Sequence, residues 1–479
     1  MVQGTEQRGD LMTIFRASDA ALWSGGRHYG PDIQLCRLWK NDSREIAPGD
    51  AFVALKGEKA DGHNFVQMAI ERGARLLLVD ADRMDELSLC SPECSGITVI
   101  AVRETAKALT QIAGEYLRRL APKTVGITGS VGKTTTRELT VSLLKAKKRV
   151  HSAIRSYNTV IGCSLTILAM PEDTEVLVLE FGTNHFGEIR EMAALFPPQL
   201  AVITEVAPAH LEGFGDVDGV LSAKMEICES EKLEMLIYNA DNESLRNALS
   251  YKFDNIKKLG VGRWKGADMR IIESVPTLRG DGAHLLAVYE NCGRELKFSL
   301  NLFGSQHSYN AGYAYLIGDH FGVGIIDAEE KLSEFMPILG RGICKKLPQN
   351  KWVIDEAYNA NPSSMGAAVR NTLDVARGSG LSAFAVLGGM RELGGSSAFW
   401  HNDILKSVSH FSKAALLGDE WFAPEVVLPP CAQRYRTFEE ISSQLDIFSA
   451  PDSVLLIKGS NSYGLKRLVA LLTEGGYVY

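Results

Sequence analysis

Residues Lys123–Thr136 read KTVGITGSVGKTTT, and this stretch decides the central fold of a chain of 479 residues. Its apolar first part, Lys123–Thr128, predicts a strand, and the sequence from Thr136 to Lys145 predicts a helix. A glycine-rich turn that ends in Lys133 lies between them. This order of strand, loop and helix is typical of an α/β domain that binds the phosphates of a nucleotide.

The residues of the turn have the chemistry that a phosphate group requires. Glycines at positions 129 and 132 let backbone N–H groups turn toward a phosphate, and the following helix N-terminus adds positive partial charge. Lys133 supplies an ammonium group and Thr134 a hydroxyl that suits Mg²⁺. Ile127 stands where the common G-x-x-x-x-G-K-[ST] pattern has its first glycine. The predicted phosphate-binding residues are Gly129, Ser130, Val131, Gly132, Lys133, Thr134 and Thr135.

Two more apolar segments end in residues that suit a metal ion. Segment 176–179 precedes Glu180, and segment 201–204 precedes Glu205 and His210. Ligands of parallel sheets gather beyond the carboxyl ends of the strands, and Mg²⁺ prefers oxygen ligands. Glu180 alone is equally well explained as a capping or salt-bridge carboxylate, whereas a lone histidine such as His210 is more often structural than a ligand. Lys224 carries an ammonium without a free lone pair, so the residues alone leave the metal site open.

Apolar strands alternate with helical sequence in three blocks. The first block runs to about Leu120 and has strands at 50–55 and 75–80. The second has strands at 123–128, 175–179 and 200–204, and the third at 352–354, 384–387, 414–417 and 454–457. This alternation is typical of parallel sheets covered by helices. We predict an α/β protein of three domains. They are a small α/β module at 1–120, a central nucleotide-binding parallel-sheet domain at 121–337 and a Rossmann-like domain at 338–479.

Composition argues against several classes of protein. The net charge is −7 and no long block of Lys and Arg occurs, which argues against nucleic acid and anionic membranes as partners. No apolar run reaches the roughly 18 residues of a membrane-spanning helix, and Met1 to Asp10 lack the apolar core of a signal peptide. Cys90 and Cys94 form the only close cysteine pair, which favours free thiols over a zinc site. We therefore expect a cytoplasmic protein.

Several motifs resemble the Mur ligase family. They are TGSVGKTT at 128–135, EFGTNHFGEI at 180–189, AHLEGFG at 209–215 and LIKGS at 456–460. The most specific match is DEAYNANPSSM at 355–365. In the first block, DSREIAPGDAFVALKG at 42–57 and DGH at 61–63 are similar to the UDP-binding module of the family. The resemblance extends over nearly the whole chain.

The resemblance implies a metal site that spacing alone did not supply. Lys224, in AKMEI at 223–227, stands where the lysine of the family is carbamylated by CO₂, and a carbamate offers anionic oxygen to Mg²⁺. The resemblance implies two Mg²⁺ ions, one held by Glu180, His210 and carbamylated Lys224, and a second held by Thr134 with Glu180. The implied catalytic residues are Lys133, Glu180, His210, Lys224 and Arg341.

It also implies contacts with ATP and with the second substrate. Asp355 is expected at the ribose, Arg341 at the phosphates and Asn310 near the adenine of ATP. The expected substrate-binding residues are Ser43, Arg44, Asn158 and His185. Four positions depart from the usual residues of the family, namely Ser164, Gln306, Gly389 and Asn461. These departures concern contacts with the substrate and which peptide is accepted. They do not affect the phosphate loop or the implied metal ligands.

The motifs look most like the family member that adds D-alanyl-D-alanine to a UDP-muramoyl tripeptide. The resemblance implies an ATP- and Mg²⁺-dependent amide ligase, acting as a monomer through an acyl phosphate. Three alternatives stay open: a related ligase that adds a diamino acid or glutamate, a P-loop regulatory NTPase, and a catalytically inactive relative. YNANP at 358–362 argues against the diamino-acid-adding enzyme. The module at 42–63 argues against the glutamate-adding alternative, a folylpolyglutamate synthase, because those enzymes lack a UDP-binding first domain.

Overall fold

The computed structural model describes residues 15–34, 38–87, 89, 96–153, 155–280, 282–444 and 450–473. The chain divides into two compact units. The first comprises residues up to Val125, Lys148–Phe181 and Arg190–Pro198, and the second comprises Gly126–Lys147, Gly182–Ile189 and the chain from Gln199 onward. The predicted α/β class is confirmed, while the three predicted domain boundaries remain a prediction. Cys90, Cys94 and the N-terminal segment Met1 to Asp10 lie outside the described residues.

Helices and strands alternate along most of the described chain. The α-helices are α1 Ala17–Ser24, α2 Val66–Glu71, α3 Thr105–Leu120, α4 Lys133–Leu144, α5 Val160–Leu168, α6 Glu188–Leu195, α7 Leu211–Phe214, α8 Val217–Met225, α9 Glu243–Ser250, α10 His307–His320, α11 Ile325–Glu334, α12 Pro362–Ser379, α13 Ser397–Val408, α14 Phe438–Ser442 and α15 Lys466–Thr473. Within the described ranges, none of the helices is long and apolar enough to cross a membrane.

Within the residues that the structure describes, the strands form three sheets. They are β1 Arg27–Tyr29, β2 Trp39–Lys40, β3 Ala51–Val53, β4 Leu76–Asp80, β5 Thr98–Val102, β6 Lys123–Thr128, β7 Val150–Ser152, β8 Val176–Glu180, β9 Leu200–Ile203, β10 Met235–Asn239, β11 Lys257–Gly262, β12 Met269–Arg279, β13 Gly282–Asn291, β14 Arg294–Leu300, β15 Ile343–Leu347, β16 Lys351–Glu356, β17 Ser382–Gly388, β18 Lys413–Leu417, β19 Ala432–Tyr435 and β20 Ser453–Lys458.

The first unit contains the five-stranded sheet, in the order β1-β5-β4-β3-β2. Strands β2 to β5 run parallel, and β1 is antiparallel to β5. Phe52, Leu77 and Val99 from the sheet pack with Val66 and Ala69 of α2 in one apolar core. In the same unit β7 pairs in parallel with β8, and every residue of β8 is buried. A continuous apolar run of this kind is what a strand covered on both faces requires.

The second unit holds a run of strands in the order β14-β13-β12-β11-β10-β9. The pairs β9–β10, β10–β11 and β11–β12 are parallel, which is the kind of sheet predicted for the central block, although only β9 of these strands was predicted individually. Strands β12, β13 and β14 pair antiparallel, which the sequence analysis did not predict. Along β14 buried and exposed residues alternate, because an antiparallel edge can leave one face in water. The run of buried residues that identifies the parallel strands is therefore missing there.

The six-stranded sheet of the second unit has the order β15-β16-β20-β17-β18-β19. All neighbours except the antiparallel pair β15–β16 run parallel, so the strands predicted from 352 onward are confirmed. Helix α12 begins because Asn361 caps its N-terminus reciprocally with Ser364 and Pro362 occupies the first turn. It ends at Gly380, whose left-handed backbone (φ 66°) stops the helix.

Candidate active site

The phosphate loop lies at the carboxyl end of β6. Helix α4 begins at Lys133, so the predicted start at Thr136 was wrong by one turn. Gly132 (φ 88°) precedes the helix, and Gly129 (φ 142°) passes so close to β9 that an added Cβ would lie 2.1 Å from Thr204 Oγ1. The earlier helix start brings the N-terminus of α4 to the loop, where its positive partial charge suits an anion. Lys133 Nζ donates a hydrogen bond to Gly129 O at 2.7 Å.

Lys224 of α8 lies in the interior, where its side chain is 1% exposed. Burial lowers the pKa of its amine well below the usual range, and the charge of Lys133 lowers it further. Glu188 and Glu226 oppose this shift in pKa only in part. The ring centre of Phe214 lies 5.9 Å from Nζ. The amine is therefore held toward its neutral form, which has the lone pair that an ammonium lacks.

His210 precedes α7 and forms an ion-pair contact through Nδ1 with Glu392, which follows β17. Burial lowers the pKa of His210, the Glu392 carboxylate raises it, and the charges of Lys133 and Lys224 lower it. The structure therefore brings three predicted catalytic residues, Lys133, His210 and Lys224, within electrostatic reach of one another. Glu392 was missed from sequence. Its only signal was an acidic residue beyond an apolar strand, in the segment RELGG at 391–395.

Arg341 and Asp355 lie together in the second unit. The Asp355 carboxylate is buried and accepts hydrogen bonds from the N–H groups of Gly340 (3.1 Å) and Ala357 (3.0 Å). Burial raises the pKa of Asp355, and the two backbone donors lower it in part. The Arg341 guanidinium stacks 4.0 Å from the ring centre of Tyr358. Asp355 thus braces the turn that carries Arg341, and its role at the ribose remains a prediction.

Asn310 packs against the phosphate loop itself. An added Cβ at Gly132 would lie 2.8 Å from Asn310 Oδ1, which also accepts a hydrogen bond from Thr136 Oγ1 at 3.3 Å. Its amide Nδ2 lies 3.1 Å from Nδ1 of the buried His307. Burial lowers the pKa of His307 to about 4. Asn310 therefore lies beside the loop, and its predicted contact with adenine remains a prediction.

The remaining predicted residues are distributed between the two units. In the first, Asn158 Nδ2 donates to Oε1 of the buried Glu180 at 3.3 Å. Ser43 is buried against Met68 Sδ, and the exposed Arg44 pairs with Asp42 and lowers the pKa of that carboxyl to about 2. In the second unit, the His185 side chain is 75% exposed. Their substrate contacts remain predictions.

The predicted metal ligands form an unusual donor set. Within the described residues, no group of three or more His, Cys, Asp or Glu side chains is arranged to hold a metal ion. The predicted set contains only two residues of these types, Glu180 and His210. The other two are the buried hydroxyl of Thr134 and the buried amine of Lys224. The Mg²⁺ assignment therefore depends on the chemistry of Lys224 and remains a prediction.

Comparison with known families defines the class of protein. Residues 127–318 match the Mur ligase middle domain, and residues 39–117 match the catalytic domain of the Mur ligase family. The chain belongs to the Mur ligase family, and the predicted resemblance is confirmed.

One relative is the UDP-N-acetylmuramoyl-tripeptide–D-alanyl-D-alanine ligase of Bacillus subtilis. It is 35% identical over 363 residues, which cover 76% of this chain and 75% of that enzyme. Among solved structures, MurF ligase from Thermotoga maritima in complex with ADP has a TM-score of 0.78 at 26% identity, covering 92% of this chain and 98% of that one. MurF from Acinetobacter baumannii has a TM-score of 0.81 at 24% identity, covering 97% of this chain and 100% of that one. The last likeness establishes the fold alone.

Proposed function

We propose that this chain is an ATP-dependent ligase that joins D-alanyl-D-alanine to UDP-N-acetylmuramoyl tripeptide. One observation carries the proposal. A phosphate loop with Lys133 lies in a chain that matches a ligase of that name over 76% of its length. The electrostatic interactions among Lys133, His210 and the buried Lys224 support it, because they bring three candidate catalytic residues within reach of one another.

The proposed reaction has two steps. A carboxylate oxygen of the tripeptide attacks the γ-phosphorus of ATP, so ADP leaves and an acyl phosphate forms. The free amine of D-alanyl-D-alanine then attacks the acyl carbon, phosphate leaves, and the nitrogen loses a proton to give the amide. Phosphoryl transfer mainly requires alignment and neutralised charge. In this chain the N–H groups of the loop, the ammonium of Lys133 and the guanidinium of Arg341 are proposed to supply both.

We further propose that Glu180, His210 and carbamylated Lys224 hold one Mg²⁺ and that Thr134 and Glu180 hold a second, and that these ions would neutralise phosphate charge when bound. The burial of Lys224 supports this proposal. The pKa of Lys224 is lowered, and a neutral amine is the form that adds to CO₂. The resulting carbamate would replace a cation by anionic oxygen, the donor that Mg²⁺ prefers.

A coupled phosphate-release assay tests the function directly. Purified protein receives ATP, Mg²⁺, UDP-muramoyl tripeptide and either D-alanyl-D-alanine or a diamino acid, and the product is identified by mass. The expected result is phosphate release that requires D-alanyl-D-alanine, with a product heavier by that dipeptide less water. Phosphate release that ignores both amines supports a regulatory NTPase instead. A product that contains the diamino acid identifies a different ligase of the family.

A further inference from the structure

The phosphate loop is held in place by the segment 204–207, which follows β9. Ser130 N–H donates to Glu205 O at 2.8 Å, and Ser130 Oγ donates to Ala207 O at 2.9 Å. The Ala207 N–H donates back to Ser130 Oγ at 3.1 Å. Thr204 Oγ1 donates to Val131 O at 2.6 Å. Two consecutive residues of the loop therefore depend on this segment for their backbone conformation.

The side chain of Glu205 connects the same segment to the turn between β10 and α9 through hydrogen bonds. Its Oε2 accepts a hydrogen bond from Asn239 Nδ2 at 2.8 Å. Its Oε1 accepts from Asn242 Nδ2 at 2.7 Å and from the N–H of Val206 at 2.8 Å. Asn242 Nδ2 also donates to Val206 O at 2.8 Å. Both carboxylate oxygens thus take part in fixing the segment.

The orientations of the Asn239 and Asn242 side-chain amides are fixed by other hydrogen bonds. Asn239 Oδ1 accepts the N–H of Asp241 at 2.9 Å, and Asn242 Oδ1 accepts the N–H of Leu245 at 3.0 Å as the cap of α9. Each amide therefore presents its NH₂ group to Glu205. Only a group with acceptors on both sides, a carboxylate, satisfies both amides at once.

We infer that Glu205 is a positioning residue for ATP binding, which acts through the segment 204–207 on the backbone of the phosphate loop. The inference rests on the proposed function for the identity of the nucleotide. The sequence indicated Glu205 only as one acidic residue after an apolar strand. Its tie to Asn239 and Asn242 arises from the parallel neighbours β9 and β10.

The variant Glu205→Gln tests the inference, because it keeps the shape but sets an NH₂ group against the NH₂ group of Asn239. The KM for ATP and the dissociation constant for ADP by calorimetry are expected to rise about tenfold, the effect of one charge-assisted hydrogen bond lost. The KM values for the two other substrates are expected to stay within about twofold. The double variant Glu205→Gln with Asn239→Asp restores a donor–acceptor pair at this contact, and it is expected to recover most of the ADP affinity.

Unchanged ADP affinity in Glu205→Gln overturns the inference. So does a loss of ADP affinity that the double variant fails to recover at an unaltered melting temperature, or a rise of all three KM values together. If Glu205→Gln does not fold, the folded double variant decides, because the inference requires near wild-type ADP affinity from it. Wild-type protein that binds neither ATP nor ADP refutes the proposed function itself, which separates the two failures.

Discussion

His210 and Glu392 face each other, and both have a left-handed backbone, with φ of 53° and 64°. This conformation costs a residue with a side chain about 1–2 kcal/mol. Two such residues are in direct contact here, and one of them is a predicted catalytic residue. Strained backbone of this kind is concentrated at functional sites, where the surrounding structure holds it in place. The backbone of the loops reinforces the contact, because Glu212 N–H donates to Glu392 O at 3.4 Å.

The first prediction follows from that pair. Glu392→Gly removes the carboxylate from His210 while it relieves the strained backbone. Its unfolding free energy is expected to lie within about 1 kcal/mol of the wild-type value, since the two effects oppose each other. Ligase turnover is expected to fall by about tenfold or more, because His210 loses its orienting partner. The control is Gln349→Gly, an exposed residue with φ of 62° far along the chain, which should keep full activity. Full turnover in Glu392→Gly contradicts the role.

The second prediction concerns the buried amine. Lys224→Ala is expected to lose ligase activity, and short-chain carboxylic acids added to the assay are expected to restore part of it by replacing the carbamate oxygens. Phosphate release is the measurement. The matched control is Lys232→Ala, because Lys232 is exposed and lies shortly after the same helix. An unrescued variant that keeps full activity refutes the carbamate role.

The third prediction tests the phosphate loop. Lys133→Ala is expected to lower the rate of phosphate release by about a hundredfold or more, since one ammonium that neutralises transition-state charge is lost. Binding of UDP-muramoyl tripeptide, measured by calorimetry, should change little. Lys145→Ala, an exposed position just past the end of α4, is the control and should behave as wild type. Equal losses in both variants would show that the effect is not specific to the loop.

The fourth prediction is a dependence of stability on pH. Burial lowers the pKa of His307 from 6.5 to about 4, so the folded chain keeps this ring neutral where the unfolded chain protonates it. The stabilisation is fully present above pH 6.5 and is lost as the pH falls toward 4. Over that window the loss is on the order of 3 kcal/mol.

Urea unfolding between pH 7 and pH 4 measures this effect. His307→Gln is expected to show a shallower fall in unfolding free energy than the wild type, whatever its stability at pH 7. His320→Gln, at the exposed end of the same helix, should follow the wild-type slope. If the unfolding free energy of all three proteins falls equally with pH, a group other than His307 causes the loss of stability in acid.

Much of the fold could be predicted because local sequence specifies it directly. Strand β6 lies where its apolar run predicted it, and β8 and β20 differ by only a residue or so at each end. Strands β12 to β14 were not predicted, since their burial alternates and carries no continuous apolar run. The start of α4 was predicted too late because Lys133, Thr134 and Thr135 belong both to the phosphate loop and to the first turn of the helix.

The nucleotide loop, the α/β class and the family could be predicted from local sequence, because each depends on motifs of residues that are neighbours along the chain. The burial of Lys224, the contact between Glu392 and His210, and the hydrogen bonds of Glu205 to Asn239 and Asn242 became visible only in the folded chain. These relationships join residues that are far apart in sequence. Burial and electrostatic coupling depend on what surrounds a group in space, and no local pattern of residues encodes those surroundings.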